Sequence, residues 1–202
     1  MSNEPKNVSS LNKGANGMQM PEMFDNVSKT VKDDLMVTIK KGDKLSVAAA
    51  CFSIYAYQAL KKQLDNIDEL RFIFTSPTFL REKAPKEKRE FYIPRLSREQ
   101  SLYGTEFEIK LRNEMTQKAI AKECADWIRQ KVQFKSNTNE QTMQGFIEVE
   151  NPSKEYSSVY SPVADFTTVE LGDGRGKNLF SITTQLDYPM TEGFLAAFNS
   201  LW

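Results

Sequence analysis

The sequence predicts an α/β domain, a mixed sheet that begins with a βαβ unit and is flanked by helices. The first observation behind this expectation is the run KLSVAAACFS from Lys44 to Ser53. It is small and apolar after its first residue, follows the breaker pair Gly42-Asp43, and reads as a central parallel strand buried on both faces. The second is what comes next: Ile54–Leu64 carries helix formers, Asp65-Asn66 makes a polar turn, and LRFIFT from Leu70 to Thr75 is another strand. Strand, helix and strand within ~30 residues make a βαβ unit, which closes right-handed in nearly every known case. The third is a β-rich stretch from Gln144 to Val169, broken by Asn151-Pro152-Ser153, after a long helical pattern.

Taken in order, residues 1–22 are rich in Ser, Asn and Gly, bury too little apolar surface to order themselves, and are expected to form a disordered tail before a domain over 23–202. Asp25 or Asn26 is placed to cap a first helix whose Val27, Val31, Leu35 and Ile39 share a face, and which ends at Lys40-Lys41-Gly42. In the first strand, the small residues Val47–Ala50 call for something packed very close to the backbone. From Arg81 to Arg98 the composition shifts to seven Lys or Arg against three Glu, with two prolines, Phe91 and Tyr92, which reads as a basic insertion. A helix from about Thr105 to Lys131 follows, its stripe carried by Phe107, Leu111, Met115, Ile120, Cys124, Trp127 and Ile128. Val132–Lys135 is a short strand, Leu171–Lys177 a glycine loop, and Thr191–Trp202 an apolar helix. Because the chain runs to Trp202 inside that helix, it is expected to be part of a longer polypeptide.

Lys+Arg and Asp+Glu are 27 each, so any attraction to nucleic acid must come from a local patch. The longest apolar stretch, around Leu45–Tyr57, is too short to span a bilayer and no signal-peptide pattern opens the chain, so the expected location is cytoplasmic, with no membrane partner. Cys51 and Cys124 lie far apart in apolar segments, as reduced core thiols do. The chain contains no histidine, which removes imidazole as nucleophile, general base or metal ligand. The loop Gly172-Asp173-Gly174-Arg175-Gly176-Lys177 offers glycine amides and cations but fits neither phosphate-loop template, and reads as a connecting loop. Asp33-Asp34 and Asp68-Glu69 show no metal-ligand spacing.

The unit Lys44–Phe79, KLSVAAACFSIYAYQALKKQLDNIDELRFIFTSPTF, and the block Phe91–Val132, FYIPRLSREQSLYGTEFEIKLRNEMTQKAIAKECADWIRQKV, carry a resemblance. They are similar to the phospholipase-D-like domain that precedes the motor of many bacterial Snf-type helicases of superfamily two, a fold shared with some restriction endonucleases. The resemblance covers roughly residues 23–202 and implies a phospholipase-D-like fold. That family's signature is H-x-K, followed one strand later by a segment of the type G-S-x-N-F-T. Here the first segment aligns with Met143–Ile147, which puts Gln144 at the histidine position and Phe146 at the lysine position. The second aligns with Ser161–Thr168, which keeps Phe166-Thr167 and has Asp165 at the asparagine position.

An amide nitrogen has no lone pair available to attack phosphorus, and a phenyl ring cannot neutralise a phosphate. The resemblance therefore implies a catalytically degenerate, nuclease-like domain: a DNA-engaging or regulatory module of an ATP-dependent helicase, a role that suits genome maintenance or defence against foreign DNA. No cofactor is expected here; ATP and Mg belong to motor domains attached in cis. Related nucleases pair two such units, which implies a homodimer or a second half. DNA contacts are expected from Arg81, Lys83, Lys86, Lys88, Arg89, Arg95 and Arg98, with Phe91 and Tyr92 stacking or wedging. The same insertion also reads as a solvated loop in which Glu82, Glu87 and Glu90 pair with the lysines. Two other readings are a metal-dependent nuclease using Asp165 and neighbouring acids, and a protein-interaction module that docks through Phe194–Trp202 and the long helix.

Overall fold

The run that begins at Lys44 forms the central strand β2 (Lys44–Ala49), buried beyond its first residue. Its strand ends four residues short of the expected limit because the buried Ser53 caps α2 (Ile54–Ala59), its side chain accepting from the Tyr55 N–H. The predicted single helix breaks at Leu60 into α2 and α3 (Lys61–Leu64). The parallel strand β3 (Glu69–Phe74) completes the βαβ unit.

In the computed structural model the described residues are 20–75, 80–81, 91–92, 114–138, 143–152, 156–174 and 181–202. The other elements are β1 (Glu22–Phe24), α1 (Val31–Thr38), β4 (Leu80–Arg81), β5 (Phe91–Tyr92), α4 (Glu114–Lys131), β6 (Val132–Ser136), β7 (Phe146–Asn151), β8 (Tyr156–Ser161), β9 (Thr183–Asp187) and α5 (Glu192–Leu201). Seven strands form one mixed sheet in the order β1-β9-β8-β7-β2-β3-β6. β2, β3 and β6 run parallel, whereas β7, β8, β9 and β1 are joined antiparallel. β2 is therefore the switch between the two halves.

Two crossovers stepping the same way across the sheet put their helices on the same face. That face is covered by α1 to α4: Leu45, Val47 and Ala49 of β2 share a core with Leu35, Tyr57, Leu64, Ile120, Cys124 and Trp127. Aromatic rings dominate it, with Phe52 stacked on Phe166 at 5.5 Å and Phe72 edge-on to Phe134 at 5.6 Å. Trp127 buries its ring there and donates from Nε1 to the Leu64 carbonyl at 2.9 Å. On the opposite face Ala48, Ile73, Phe146 and Val159 form a smaller cluster with Phe198 of α5. Phe194, Phe198 and Trp202, the face proposed from sequence to dock a partner, pack against this chain's own sheet.

Several expectations change locally. α1 starts at Val31, with Thr30 as its cap accepting from the Asp33 N–H. Asp25 instead closes a preceding turn by accepting the amides of Val27, Ser28 and Lys29, and Asn26 sits at φ 55. β1 begins at Glu22, inside the stretch assigned to the tail, while residues 1–19 lie outside the described residues. Both cysteines are free and buried, and burial pushes the Cys124 thiol up to about 12. Among the described residues no helix is long and apolar enough to cross a membrane.

Candidate functional site

The end of the sheet where β2 finishes and β7 begins is where the two signature-like segments meet. Residues 162–168 run beside 50–53 without forming a regular strand. The Ala50 N–H donates to the Ala164 carbonyl at 2.9 Å, the Phe166 N–H to Cys51 at 3.0 Å and the Ser53 N–H to Phe166 at 3.0 Å. The Val163 N–H donates to the Gly145 carbonyl at 2.9 Å, and the Ser161–Pro162 peptide is cis. A Cβ at residue 145 would lie 1.9 Å from the Val163 oxygen and 2.9 Å from the Ala48 oxygen, so only glycine fits between them. This is the close approach that the small residues of β2 call for.

The three positions aligned with the signature, Gln144, Phe146 and Asp165, have different surroundings. Gln144 is exposed, and its Nε2 donates to Ser161 Oγ at 2.8 Å. Phe146 is only 3% exposed and packs edge-on against Phe194 at 5.3 Å and Phe198 at 6.0 Å, so it is a core residue beneath α5. Asp165 is half-buried. It lies close enough to Glu170 to raise that carboxyl, which burial lifts first, while the Ala164 backbone N–H works the other way. A phosphate arriving here would meet two carboxylates. Among the described residues no group of three or more His, Cys, Asp or Glu is arranged to hold a metal ion.

The basic stretch 81–98 is described only in part. Arg81, Phe91 and Tyr92 belong to a two-stranded antiparallel ladder that pairs Leu80 with Tyr92 and Arg81 with Phe91. Lys83, Lys86, Lys88, Arg89, Arg95 and Arg98 lie outside the described residues. The glycine loop spends its first amides internally: the Gly172 N–H donates to Val169 at 3.1 Å and the Asp173 N–H to Thr168 at 2.8 Å. Gly172, at φ 81, abuts Asn26 and Thr30, and the Asp173 carboxylate pairs with Lys32. These contacts fix the loop to α1, and Arg175–Lys177 lie outside the described residues.

Sequence reasoning passed over Glu148. It is fully buried in the middle of β7, and neither carboxylate oxygen has a hydrogen-bond partner. Burial, then the nearby Glu150 charge, pushes its carboxyl up to about 7, against a smaller opposing pull from Arg71. The signal was in the strand FIEVEN, where period-two alternation puts Glu148 on the same face as Phe146. Compared with known proteins, the chain matches no family model and no curated protein.

Proposed function

We propose that this chain is a catalytically degenerate phospholipase-D-like domain that serves as a DNA-engaging or regulatory module of an ATP-dependent helicase. The observation that carries the reading is the chemistry at the end of β2. An exposed amide (Gln144), a buried ring (Phe146) and a carboxylate beside Glu170 (Asp165) stand where the resembling enzymes use imidazole, ammonium and amide. No histidine elsewhere in the chain can replace the nucleophile. The tight packing of Gly145 against Val163 and Ala48 keeps the two segments together although the reactive groups are gone.

On this reading DNA is engaged through the cations of the 81–98 insertion, the motor is joined in cis and brings its own ATP and Mg, and two copies pair as related nucleases do. The test is fluorescence anisotropy with short single-stranded and duplex DNA over a salt series. The protein is compared with a variant carrying Lys83, Lys86, Lys88 and Arg89 changed to Ser. Affinity should fall steeply with salt, and the slope should shrink by ~0.7–0.9 for each phosphate contact removed. Absence of binding to either DNA at low salt would refute DNA engagement, and hydrolysis of a simple phosphodiester by the purified protein would refute degeneracy.

A further inference from the structure

The sheet face opposite α1 to α4 carries a polar row running across three strands. Glu148 of β7 lies directly opposite Ser46 of β2, which lies opposite Arg71 of β3. The guanidinium of Arg71 is committed to holding α5. It donates to Asn199 Oδ1 at 2.9 Å and to Ser46 Oγ at 3.0 Å, and stands 5.1 Å from the Phe198 ring and 5.6 Å from the Trp202 ring. Glu148 receives none of these bonds and has no other partner for either oxygen. Among the described residues α5 is the one helix in the cluster on this face, so the docked α5 is what takes Glu148 out of water.

We propose that α5 is a proton-linked latch: docked on the sheet it encloses Glu148 as the neutral acid, and on lifting away it exposes Glu148 to water, where the carboxyl ionises. A buried charge with no partner is costly, whereas a neutral carboxyl is cheaper to enclose. Docking therefore takes up a proton, and its pKa, lifted to about 7 in the docked state, puts the response near neutrality.

The charged surroundings fix the sign. On its own strand Glu148 faces Glu150, which disfavours ionisation. From β3 comes Arg71, whose bonds go elsewhere, and on β2 Lys44 lies opposite Glu150, one pair further along. Lys135 of β6 sits 4.8 Å from the Trp202 ring. The single charged residue of α5 is Glu192, at the helix start, where it lines a cleft of about 360 Å³ with Glu150, Asn151 and Leu195. No cation of α5 exists to neutralise Glu148 from above. Ionisation also draws on Arg71, the group that anchors Asn199, so both effects loosen the latch as pH rises.

The experiment is amide hydrogen exchange of residues 192–202 in the full chain at pH 6 and pH 8, corrected for intrinsic exchange rates. Wild type should lose about tenfold in protection over this interval, and Glu148→Gln should show no such loss. Equal protection at the two pH values in wild type, or the same loss in both proteins, would overturn the proposal. Should Glu148→Gln not fold, the Glu148 carboxyl is followed directly by carbon-13 NMR in wild type. Titration near neutrality that moves with the α5 amide signals supports the latch. Titration in the ordinary carboxylate range overturns it.

Discussion

Replacing Gly145 with alanine tests whether the end of β2 is held together by backbone approach. The added methyl would stand 1.9 Å from the Val163 carbonyl oxygen, more than 1 Å inside the 3.0 Å that real Cβ atoms keep. The obstructing atoms belong to the backbone, so no side chain can swing aside. Retreat of Val163 strains its 2.9 Å bond to the Gly145 carbonyl, and with it the neighbouring Ala50–Ala164 and Cys51–Phe166 bonds. Overpacking costs ~1–3 kcal/mol and a lost backbone hydrogen bond about 1 kcal/mol more, against ~0.4–1 kcal/mol gained by restricting the unfolded chain. A net loss of ~2–3 kcal/mol is expected. Urea unfolding followed by far-UV circular dichroism would read it as a lower midpoint at unchanged slope. Gly193→Ala is the control, because nothing lies within 4 Å of its position on α5, and it should hold or raise the midpoint. If Gly145→Ala unfolds at the wild-type midpoint, the account of the 145–163 contact is wrong.

Two further outcomes follow from buried polar groups. The Tyr160 hydroxyl, fully enclosed, donates to Asp34 Oδ2 at 2.6 Å and bonds Thr38 Oγ1 at 3.1 Å, tying β8 to α1. Tyr160→Phe removes the shorter of two hydroxyl bonds to the half-buried Asp34, which keeps that from Thr38 Oγ1 at 3.3 Å, and should cost about 1–2 kcal/mol in the same unfolding assay. The pH dependence of global stability has two opposed parts. Glu148 has a folded pKa raised from 4.5 to about 7, so the folded state holds an extra proton between those values. From this group stability should then decline as pH rises across that window, by at most about 3 kcal/mol at 1.36 kcal/mol per unit, and Glu148→Gln should remove that share, leaving the share of Glu170, whose carboxyl burial also raises. Asp25, held well below the usual range by Ser28 and the amides around it, acts in the opposite sense: its contribution is present above pH 3.8 and is lost on further acidification.

The parallel half of the fold was legible because its signals are local. β2 and β3 are apolar runs, the helix between them is short, and Ile120, Cys124 and Trp127 mark the buried side of α4 by spacing alone. The antiparallel margin was not. β9 reads TTQLD, a polar strand of mixed burial, and it pairs with the three-residue β1 from the far end of the chain, a contact no window of sequence contains. Asp25 has cap chemistry but spends it on a turn, whereas Asn26 Oδ1 accepts the first helical amide, from Val31, and Thr30 takes the cap position itself. Glu148 was hidden for a different reason. Its strand alternates as a half-exposed strand does, and only the docking of α5, more than forty residues later in the chain, turns that face into an interior.

That same docking separates what is cheap from what is costly in placing His and Lys at positions 144 and 146. Gln144 is exposed and gives up one hydrogen bond to Ser161, so Gln144→His should shift stability by less than about 1 kcal/mol. Phe146 is the reverse case: its ring fills the space between Ala48, Val159, Phe194 and Phe198, and it sits two residues from the unpartnered Glu148 on the same face. Phe146→Lys removes a packed ring, for which truncation alone costs ~3–5 kcal/mol, and introduces an ammonium that must be desolvated or reach the carboxylate of Glu148. If that pair forms it recovers part of the loss and draws Glu148 back toward ionisation; if it does not, α5 is displaced. Unfolding midpoints and α5 amide exchange of the two single variants distinguish these outcomes. A Phe146→Lys protein as stable as Gln144→His, with α5 fully protected, would show that Phe146 is not the support of α5. The expected asymmetry means that position 144 can change with little effect on the fold, whereas Phe146 is part of the core that seats α5.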